Sequence, residues 1–368
     1  MTPIEPNLAA AQSASSHDRY FVYVGTYSEG VHAFRFSSGN GSLEPLGMVG
    51  TVEKPSWVGS DPAFKHLYAV SELEGKGQGG VASFAIDHKT GHLSALNHLE
   101  SGGQGPCYLA VDSTGKMLIV ANYSSGDVAA FPIEANGGIG KLSSVMSAHG
   151  SSVNKARQEG PHAHEAVISA DNQRVYVPDL GLDQIRIYKI EPSSAKLVPN
   201  DPPFVKGAPG FGPRHMAFGE SSRYAYVVNE LKPFVSVYAH DSATGNLTFI
   251  QSVPTIPADF SKENSGAEIR MGHSGKFLYT SNRGHDSIQV FAIDPSNGKL
   301  HQVQDASTQG EVPRGFNLDP SGRFLLVGNQ QTNNLVVFKV DPQTGKLTPT
   351  GQKFEAPTPV DVFFVPAA

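Results

Sequence analysis

Cysteine is almost absent from this chain of 368 residues, because Cys107 is the only one. A disulfide within the chain is therefore excluded. A single thiol is typical of a protein from a reducing compartment, although a cysteine-poor exported protein would have the same composition.

Long apolar runs and basic clusters are missing as well. No stretch approaches the roughly 18 to 20 apolar residues that a membrane-spanning helix needs. The net charge of −6 and the lack of a Lys/Arg-rich run argue against nucleic acid and anionic membrane as partners. Convincing 3.6-residue apolar periodicity is also missing, which argues against long amphipathic helices.

Turn-forming residues are plentiful instead, with 39 Gly and 26 Pro and only 17% charged residues. This composition favours many short strands in an all-β fold. Residues 1–18 are small and polar and lack the apolar core of a signal peptide. We expect them to be a disordered tail or a processed N-terminal segment ahead of a single domain over residues 19–368.

A turn that ends in leucine, Gly-x-Leu in six copies and Ala-Lys-Leu at residues 195–197, recurs along the chain at intervals of roughly 50 residues. This is the length of a four-stranded propeller blade. Its leucine positions are Leu43, Leu93, Leu142, Leu197, Leu247, Leu300 and Leu347. Seven repeats predict a seven-bladed β-propeller of four-stranded blades.

Each repeat begins with a strand that usually starts at proline, and these first strands are expected at Pro55, Pro106, Pro161, Pro213, Ala267 and Pro313. The first blade lacks such a strand, whereas residues 359–366 at the C-terminus have the pattern of one. We predict that this C-terminal strand completes the N-terminal blade and closes the ring, which removes exposed sheet edges.

Residues 212–230 contain two β-rich runs joined by a short turn, the pattern of a hairpin. Antiparallel pairing places the start of the first strand beside the end of the second. Arg214 and His215 are therefore expected beside Asn229 and Glu230 at one mouth of the propeller.

The same two positions in the other blades give an uneven distribution of charge around this mouth. The N-terminal blades contribute mainly neutral residues such as Ser56, Ser71 and Cys107, whereas four consecutive later blades contribute ionisable groups. The candidate residues from those four blades are His162, His164, Asp179, Arg214, His215, Glu230, Glu268, Arg270, Asn282, Arg283, His285, Arg314, Asn329 and Gln330.

This set of residues suits an anionic substrate. Arg214, Arg270, Arg283 and Arg314 supply guanidinium groups that pair with carboxylate or phosphate, and Glu230 or His164 is a candidate general acid or base. A single charged residue at this position is explained equally well by a salt bridge or turn between blades as by a catalytic role. For Asp179 the structural explanation is favoured.

Metal binding is an alternative, because His162, His164, His215 and Asp179 could together ligate a divalent ion. The neighbouring arginines oppose a cation, so we expect no metal. Nucleophilic catalysis has no candidate, since Cys107 lies in the neutral half of the ring and no Gly-x-Ser-x-Gly motif is present.

Four paired motifs resemble the seven-bladed propeller form of 6-phosphogluconolactonase and the related 3-carboxy-cis,cis-muconate lactonising enzymes. They are GPHAH (160–164) with PDLGLD (178–183), GPRH (212–215) with NEL (229–231), AEIR (267–270) with SNRGHDSI (281–288), and PRGFNLDPSGRFLLVGNQ (313–330). The resemblance covers roughly residues 19–368.

The resemblance implies hydrolysis of a sugar δ-lactone without a cofactor, as in the oxidative pentose phosphate pathway. It implies a catalytic set of His164, Arg214, Glu230 and an arginine of the next blade, assigned to Arg270 with Arg283 as the alternative. The remaining candidates above would bind substrate. The implied partner is a small anionic sugar lactone, bound by a monomer or small homo-oligomer.

Two other functions fit the same residues: lactonising cycloisomerisation of a dicarboxylate, and a propeller without enzymatic activity that binds an anionic sugar or peptide. The expected location is the cytoplasm. If residues 1–18 are the remnant of an export signal, a periplasmic or exported protein acting on a non-phosphorylated lactone is expected instead.

Overall fold

The computed structural model describes residues 18–75 and 79–368, and these residues form 28 β-strands and no helix. The expected tail over residues 1–18 lies, except for Asp18, outside the described residues. No helix in the described parts of the chain is long and apolar enough to cross a membrane.

Most strands follow one another along the chain with short turns between them, and a long connection joins β11 to β12. The first fourteen are β1 (Arg19–Thr26), β2 (Glu29–Ser37), β3 (Ser42–Glu53), β4 (Val58–Ser60), β5 (His66–Ser71), β6 (Gly80–Ile86), β7 (Leu93–Glu100), β8 (Pro106–Val111), β9 (Met117–Asn122), β10 (Val128–Pro132), β11 (Ser144–Met146), β12 (Val167–Ile168), β13 (Arg174–Asp179) and β14 (Gln184–Glu191). The remaining fourteen are β15 (Lys196–Lys206), β16 (Pro213–Phe218), β17 (Tyr224–Asn229), β18 (Phe234–His240), β19 (Leu247–Pro254), β20 (Ser265–Met271), β21 (Phe277–Arg283), β22 (Ser287–Ile293), β23 (Leu300–Ser307), β24 (Pro313–Leu318), β25 (Phe324–Asn329), β26 (Asn334–Val340), β27 (Leu347–Glu355) and β28 (Pro359–Pro366).

Seven antiparallel sheets of four strands make up the predicted seven-bladed propeller. Blade 1 has the order β28-β1-β2-β3, and blades 2 to 7 each take the next four strands in turn, from β4 to β27. The innermost strands β28, β4, β8, β12, β16, β20 and β24 surround the central channel, and most of them contact the innermost strand of a neighbouring blade.

The ring closes as the sequence predicts. β28 pairs antiparallel with β1, with Tyr20 opposite Pro366 and Val24 opposite Val362. Asp361 of β28 also accepts a hydrogen bond from the backbone N–H of Val58 in blade 2 at 3.0 Å. The first and last strands of the described residues therefore lie in one sheet, and β28 also contacts blade 2.

The recurring turn holds neighbouring blades together through its backbone. A tyrosine hydroxyl on the second strand of one blade donates to a glycine carbonyl in the turn of the next. The pairs are Tyr23–Gly91, Tyr68–Gly137, Tyr176–Gly245, Tyr226–Gly298 and Tyr279–Gly345, at 3.0–3.1 Å. At Gly298, φ is +72° and a Cβ would come 2.4 Å from the ring of Tyr224, so only glycine fits there.

Blade 3 departs from the predicted turn. Leu142 is 46% exposed, whereas Ile139 is 3% exposed and occupies the buried position. Because Gly137 accepts the bond from Tyr68, the structural turn is residues 137–139, and the predicted Gly140-Lys141-Leu142 turn is wrong by three positions.

The innermost strands of blades 2 and 4 are shorter than predicted. β4 begins at Val58 rather than Pro55, and β12 keeps only two residues. Ahead of β12, Ala163 forms a single bridge to Asp179, so His162 and His164 lie at the channel in a segment that is only loosely part of the sheet.

Candidate active site

β-Bulges at the start of three innermost strands direct side chains toward one mouth of the channel. Pro213 lies opposite Asn229 and His215 lies opposite Val228, which leaves Arg214 as the extra residue. Cys107 and Arg314 are the extra residues at the same point in blades 3 and 7. A bulge re-aims a side chain, and here it gathers residues from separate blades at the mouth.

A cavity of about 700 Å³ opens at this mouth. Its wall is strongly polar and comes from blades 1 to 7. The lining residues with functional side chains are Tyr27, Lys54, Glu72, Glu74, Cys107, Tyr123, Ser124, Arg157, His164, Glu230, Ser265, Arg283 and Arg314.

Glu230 is the centre of the most tightly connected group in this wall. Its Oε2 accepts from Nε of Arg214 at 3.0 Å and lies 3.1 Å from Nη2 of Arg283. Its Oε1 accepts from Nη2 of Arg157 at 2.6 Å. The predicted meeting of Arg214 and Glu230 at the hairpin end is confirmed, and three guanidinium groups share one carboxylate.

These cations decide the charge of Glu230. Burial alone would raise the pKa of its carboxyl group, but Arg283 and Arg214 outweigh burial and hold this pKa well below the usual range. Glu230 is therefore ionised at neutral pH. Protonating it would break ion pairs with buried cations, which makes it a poor acceptor for a catalytic proton.

His164 has the opposite character. Burial, reinforced by the charge of Arg214, lowers the pKa of its imidazole well below 6.5, so the ring is neutral at pH 7. Nε2 of His164 lies 3.8 Å from Oε2 of Glu230. A neutral imidazole beside a fixed carboxylate can accept a proton and have the resulting cation stabilised.

Cys107 lies next to His164 in the wall, with Sγ 3.9 Å from Nδ1 of that ring. Burial raises the pKa of the Cys107 thiol far above its usual value. The sulfur is thus protonated and a weak nucleophile.

Arg314 and Lys54 lie in the cavity wall apart from the Glu230 group. Among the ion pairs of the described residues, neither side chain has a carboxylate partner within 4.0 Å. The guanidinium of Arg314 lies over the ring of Tyr27, 5.1 Å from its centroid. These are the cations of the cavity that are available to an external anion.

The residues that directly follow those at the mouth, such as Tyr108 after Cys107 and His215 after Arg214, form a second layer of side chains deeper in the channel. This inner layer consists of Trp57, Tyr108, Glu165, His215, Glu268 and Asp361, and all six are nine-tenths or more buried. Nδ1 of His215 lies 3.2 Å from Glu268, and burial raises the pKa of both Glu165 and Glu268.

Arg270 belongs with this inner layer rather than with Glu230. Its Nη2 lies 3.5 Å from Oε2 of Glu268, and its guanidinium lies over Trp57 at 5.5 Å. Of the two arginines proposed from the sequence, the structure brings Arg283 to Glu230 and does not bring Arg270 there. His215 and Glu268 likewise lie behind the cavity wall and are not part of its lining.

His162 and Asp179 have structural partners of their own. His162 stacks on Tyr123 at 4.6 Å, and its Nδ1 lies 2.9 Å from the carbonyl oxygen of that residue. Asp179 is fully buried, accepts from the backbone N–H of His162 and Leu182, and lies 3.3 Å from Nε of Arg186.

The remaining sequence candidates lie outside the cavity lining. Nδ2 of Asn282 donates to the carbonyl of Thr255, and that of Asn329 donates to the carbonyl of Thr308. His285 contacts Ser287 and Asp305. Gln330 bonds through its backbone N–H to Val312. The asparagines at the strand ends therefore hold turns together behind the mouth.

Sequence reasoning missed Arg157 and Lys54. Lys54 directly precedes the predicted first strand of blade 2 and could have been found from that position. Arg157 belongs to the connection between β11 and β12, and strand pairing gives no information on where such a segment lies.

One group in the described part of the chain could hold a metal ion: Glu165, His215 and Glu268 each offer a ligand atom, all within 4.8 Å of one another. The donor types suit a divalent ion. Arg270 opposes a cation there through its contact with Glu268. Of the four metal ligands suggested by the sequence, only His215 is in this group.

Comparison with known proteins identifies relatives along nearly the whole chain. Residues 21–364 match the family described as "Lactonase, 7-bladed beta-propeller". The chain is 36% identical to the 6-phosphogluconolactonase of Bacillus subtilis over 308 residues, which cover 82% of this chain and 86% of the relative.

Two solved structures have the same fold at a TM-score of 0.89 and 34% identity. One is a crystal structure described as a putative 6-phosphogluconolactonase from Bacteroides fragilis, with 95% of this chain and 99% of that chain covered. The other is the periplasmic gluconolactonase of Pseudomonas aeruginosa, with 95% and 100% covered. Together with the seven blades described above, these matches show that the chain belongs to the seven-bladed β-propeller lactonase family of lactone-hydrolysing enzymes.

Proposed function

We propose that this enzyme hydrolyses 6-phosphoglucono-δ-lactone, with His164 as general base and the Glu230 group as the reaction centre. Glu230 carries the proposal: in the wall of an open cavity its ionised carboxylate lies beside a neutral imidazole and pairs with Arg283, which also lines the cavity, and with the buried Arg214, which does not. The 6-phosphogluconolactonase of Bacillus subtilis, 36% identical, supports this substrate.

The reaction adds water across the lactone C–O bond. In the proposed mechanism, the water oxygen bonds to the carbonyl carbon while His164 takes the proton from that water. Arg283, which lines the cavity, stabilises the negative charge that develops on the carbonyl oxygen, and the buried Arg214 adds a second positive charge next to Glu230. Collapse of the intermediate breaks the ring C–O bond, and His164 returns the proton to the departing ring oxygen, which leaves a hydroxy acid.

The phosphate group needs cations that are not already neutralised. Arg314 and Lys54 are such cations in the cavity wall, and a guanidinium binds phosphate oxygens in bidentate fashion. We assign the phosphate to these two residues. The lactone ring would then extend from them toward His164.

An unphosphorylated sugar lactone is the second candidate substrate, because the structure from Pseudomonas aeruginosa is a periplasmic gluconolactonase at 34% identity. The two substrates imply different locations. A phosphorylated intermediate of the pentose phosphate pathway places the enzyme in the cytoplasm, which we propose, whereas a free gluconolactone is compatible with the periplasm.

The test compares hydrolysis of freshly prepared 6-phosphoglucono-δ-lactone and glucono-δ-lactone with the spontaneous rates. Preference for the phosphorylated lactone in kcat/KM is expected. Equal values would remove the phosphate role from Arg314 and Lys54. No rate above background on either lactone would favour a lactonising cycloisomerase or a propeller that only binds its ligand.

A further inference from the structure

Arg157 reaches the reaction centre from outside the blade framework. It lies in the long connection between β11 and β12, next to Gln158, which is fully buried. Nε2 of Gln158 donates to the carbonyl of Leu180 at 2.9 Å, and the carbonyl of Gln158 accepts from the N–H of Ser152. The segment is thus anchored at the residue that follows Arg157.

The two oxygens of Glu230 have different partners. Oε2 contacts Arg214 and Arg283 and faces His164. Oε1 accepts a 2.6 Å hydrogen bond from Arg157. The Arg157 side chain is 44% exposed, compared with 3% for Arg214 and 11% for Arg283.

A second contact fixes the direction of Arg157. Its Nη2 also donates to the hydroxyl of Tyr123 at 3.1 Å. The ring of Tyr123 stacks on His162 and lies edge-on to His164, 5.4 Å between centroids. Arg157 is therefore tied both to Glu230 and to the aromatic wall that borders His164.

We propose that Arg157 is a positioning residue for lactone hydrolysis: by holding Oε1 of Glu230, it keeps Oε2 directed at Arg283, Arg214 and His164. This inference rests on the proposed function. A carboxylate bonded on only one oxygen can rotate about its Cγ–Cδ bond, and rotation would release Arg283 and remove the anion that stabilises the imidazolium of His164. Arg157 prevents this rotation and adds a third cation that keeps Glu230 ionised.

The experiment measures Arg157→Gln and Arg157→Lys on both lactones across pH. The loss of one charge-assisted hydrogen bond predicts a fall in kcat of roughly 10- to 100-fold for Arg157→Gln, with KM changed less than about threefold and partial recovery in Arg157→Lys. In Arg157→Gln only Arg214 and Arg283 remain as cations that oppose protonation of Glu230. We therefore expect the carboxylate to be lost at a pH above the limb that His164 sets in the unmodified enzyme, so that the acid limb of the kcat profile moves to higher pH.

The matched control is Arg223→Gln. Arg223 is an exposed arginine that bonds to Ser221 and to the carbonyl of Pro295, away from the cavity, and its loss should leave kcat unchanged. Thermal unfolding of each variant shows whether it is folded.

Three results would overturn the inference: an unchanged kcat in Arg157→Gln, a fall in kcat without any shift of the acid limb, or a rise in KM confined to the phosphorylated lactone. The last would make Arg157 a phosphate ligand.

Absence of turnover in the unmodified enzyme would instead refute the proposed function. The pKa of Glu230, followed by ¹³C NMR with Glu230→Gln as the assignment standard, then still tests Arg157, because Arg157→Gln must raise it.

Discussion

Glu230 of blade 5 and Arg283 of blade 6 approach each other to 3.1 Å between Oε2 and Nη2. Arg283 also donates to the carbonyl of Gly266 at 2.8 Å, so its guanidinium is held by both a charge and a backbone group. The contact joins two blades at the mouth of the channel and places a fixed cation on the same Glu230 oxygen that faces His164. A cation held in this way needs little reorganisation when negative charge develops on a substrate.

Replacing Glu230 with Gln tests the reaction centre. The amide cannot neutralise Arg214 and Arg283, so we expect kcat to fall by about 100-fold or more. The free energy of unfolding should drop by about 3 kcal/mol, because buried cations lose their partner. Steady-state kinetics and urea unfolding measure the two effects, with the exposed Glu220→Gln as control. Unchanged turnover would show that Glu230 only joins blades.

His164 should set the acid limb of the kcat/KM profile. Its neutral form is the base, and burial with Arg214 holds its pKa well below 6.5. Activity should therefore persist as pH falls through 6.5 and decline only below it. His164→Gln should lower kcat by roughly 100-fold or more. A half-maximal rate above pH 6.5 in the unmodified enzyme would contradict this assignment.

Arg314 should govern affinity for the phosphorylated lactone. Arg314→Gln is expected to raise KM for 6-phosphoglucono-δ-lactone about 10-fold or more, with little change for glucono-δ-lactone. Lys54→Gln should have the same effect to a smaller extent, because Lys54 is exposed. The control is Arg323→Gln. Arg323 is a surface arginine of blade 7 that donates to the hydroxyl of Ser321. Equal losses on both substrates would place Arg314 in the chemistry.

Asp361 should make stability depend on pH. Burial raises its pKa to about 7, so the folded protein retains a proton that the unfolded chain releases near pH 4. Stability from this group is present at low pH and is lost as pH rises through about 7.

Between pH 5 and 8 the loss should be about 3 kcal/mol. Asp361→Asn removes the titrating group, so the variant should not lose this part of its stability as pH rises. The unfolding free energy of the variant should therefore increase relative to that of the unmodified protein between pH 5 and 8. Urea denaturation at both pH values measures it. A difference that is constant with pH would contradict burial of a protonated carboxyl group.

Much of the architecture could be read from the sequence because it depends on local and repeated signals. The recurring turns that end in leucine gave seven blades, and the strand-like residues 359–366 predicted closure onto the first blade. The turn of blade 3 was placed three residues too late in the chain. Gly140-Lys141-Leu142 matches the sequence pattern, but Ile139 rather than Leu142 is the buried residue.

The predicted placement of residues at the mouth was accurate where it relied on hairpin geometry. Antiparallel pairing places the start of β16 beside the end of β17, and the bulge at Arg214 directs that side chain to Glu230. The prediction was less accurate for Arg270 and Arg283, which lie on paired strands of one blade but at different depths in the channel. A register irregularity lies between Gly266 and Ile269, just ahead of Arg270 on the same strand, and no local pattern predicts such a bulge.

The sequence by itself therefore determined the propeller, its closure and the excess of cations at one mouth, since these follow from periodicity, strand pairing and composition. Only the tertiary structure decided which cations are neutralised and which are available. Glu230 binds Arg157, Arg214 and Arg283, and Arg314 and Lys54 remain apart from it. These pairings join different blades and a connecting segment, and they depend on distances of a few ångströms that arise only when the whole ring has closed.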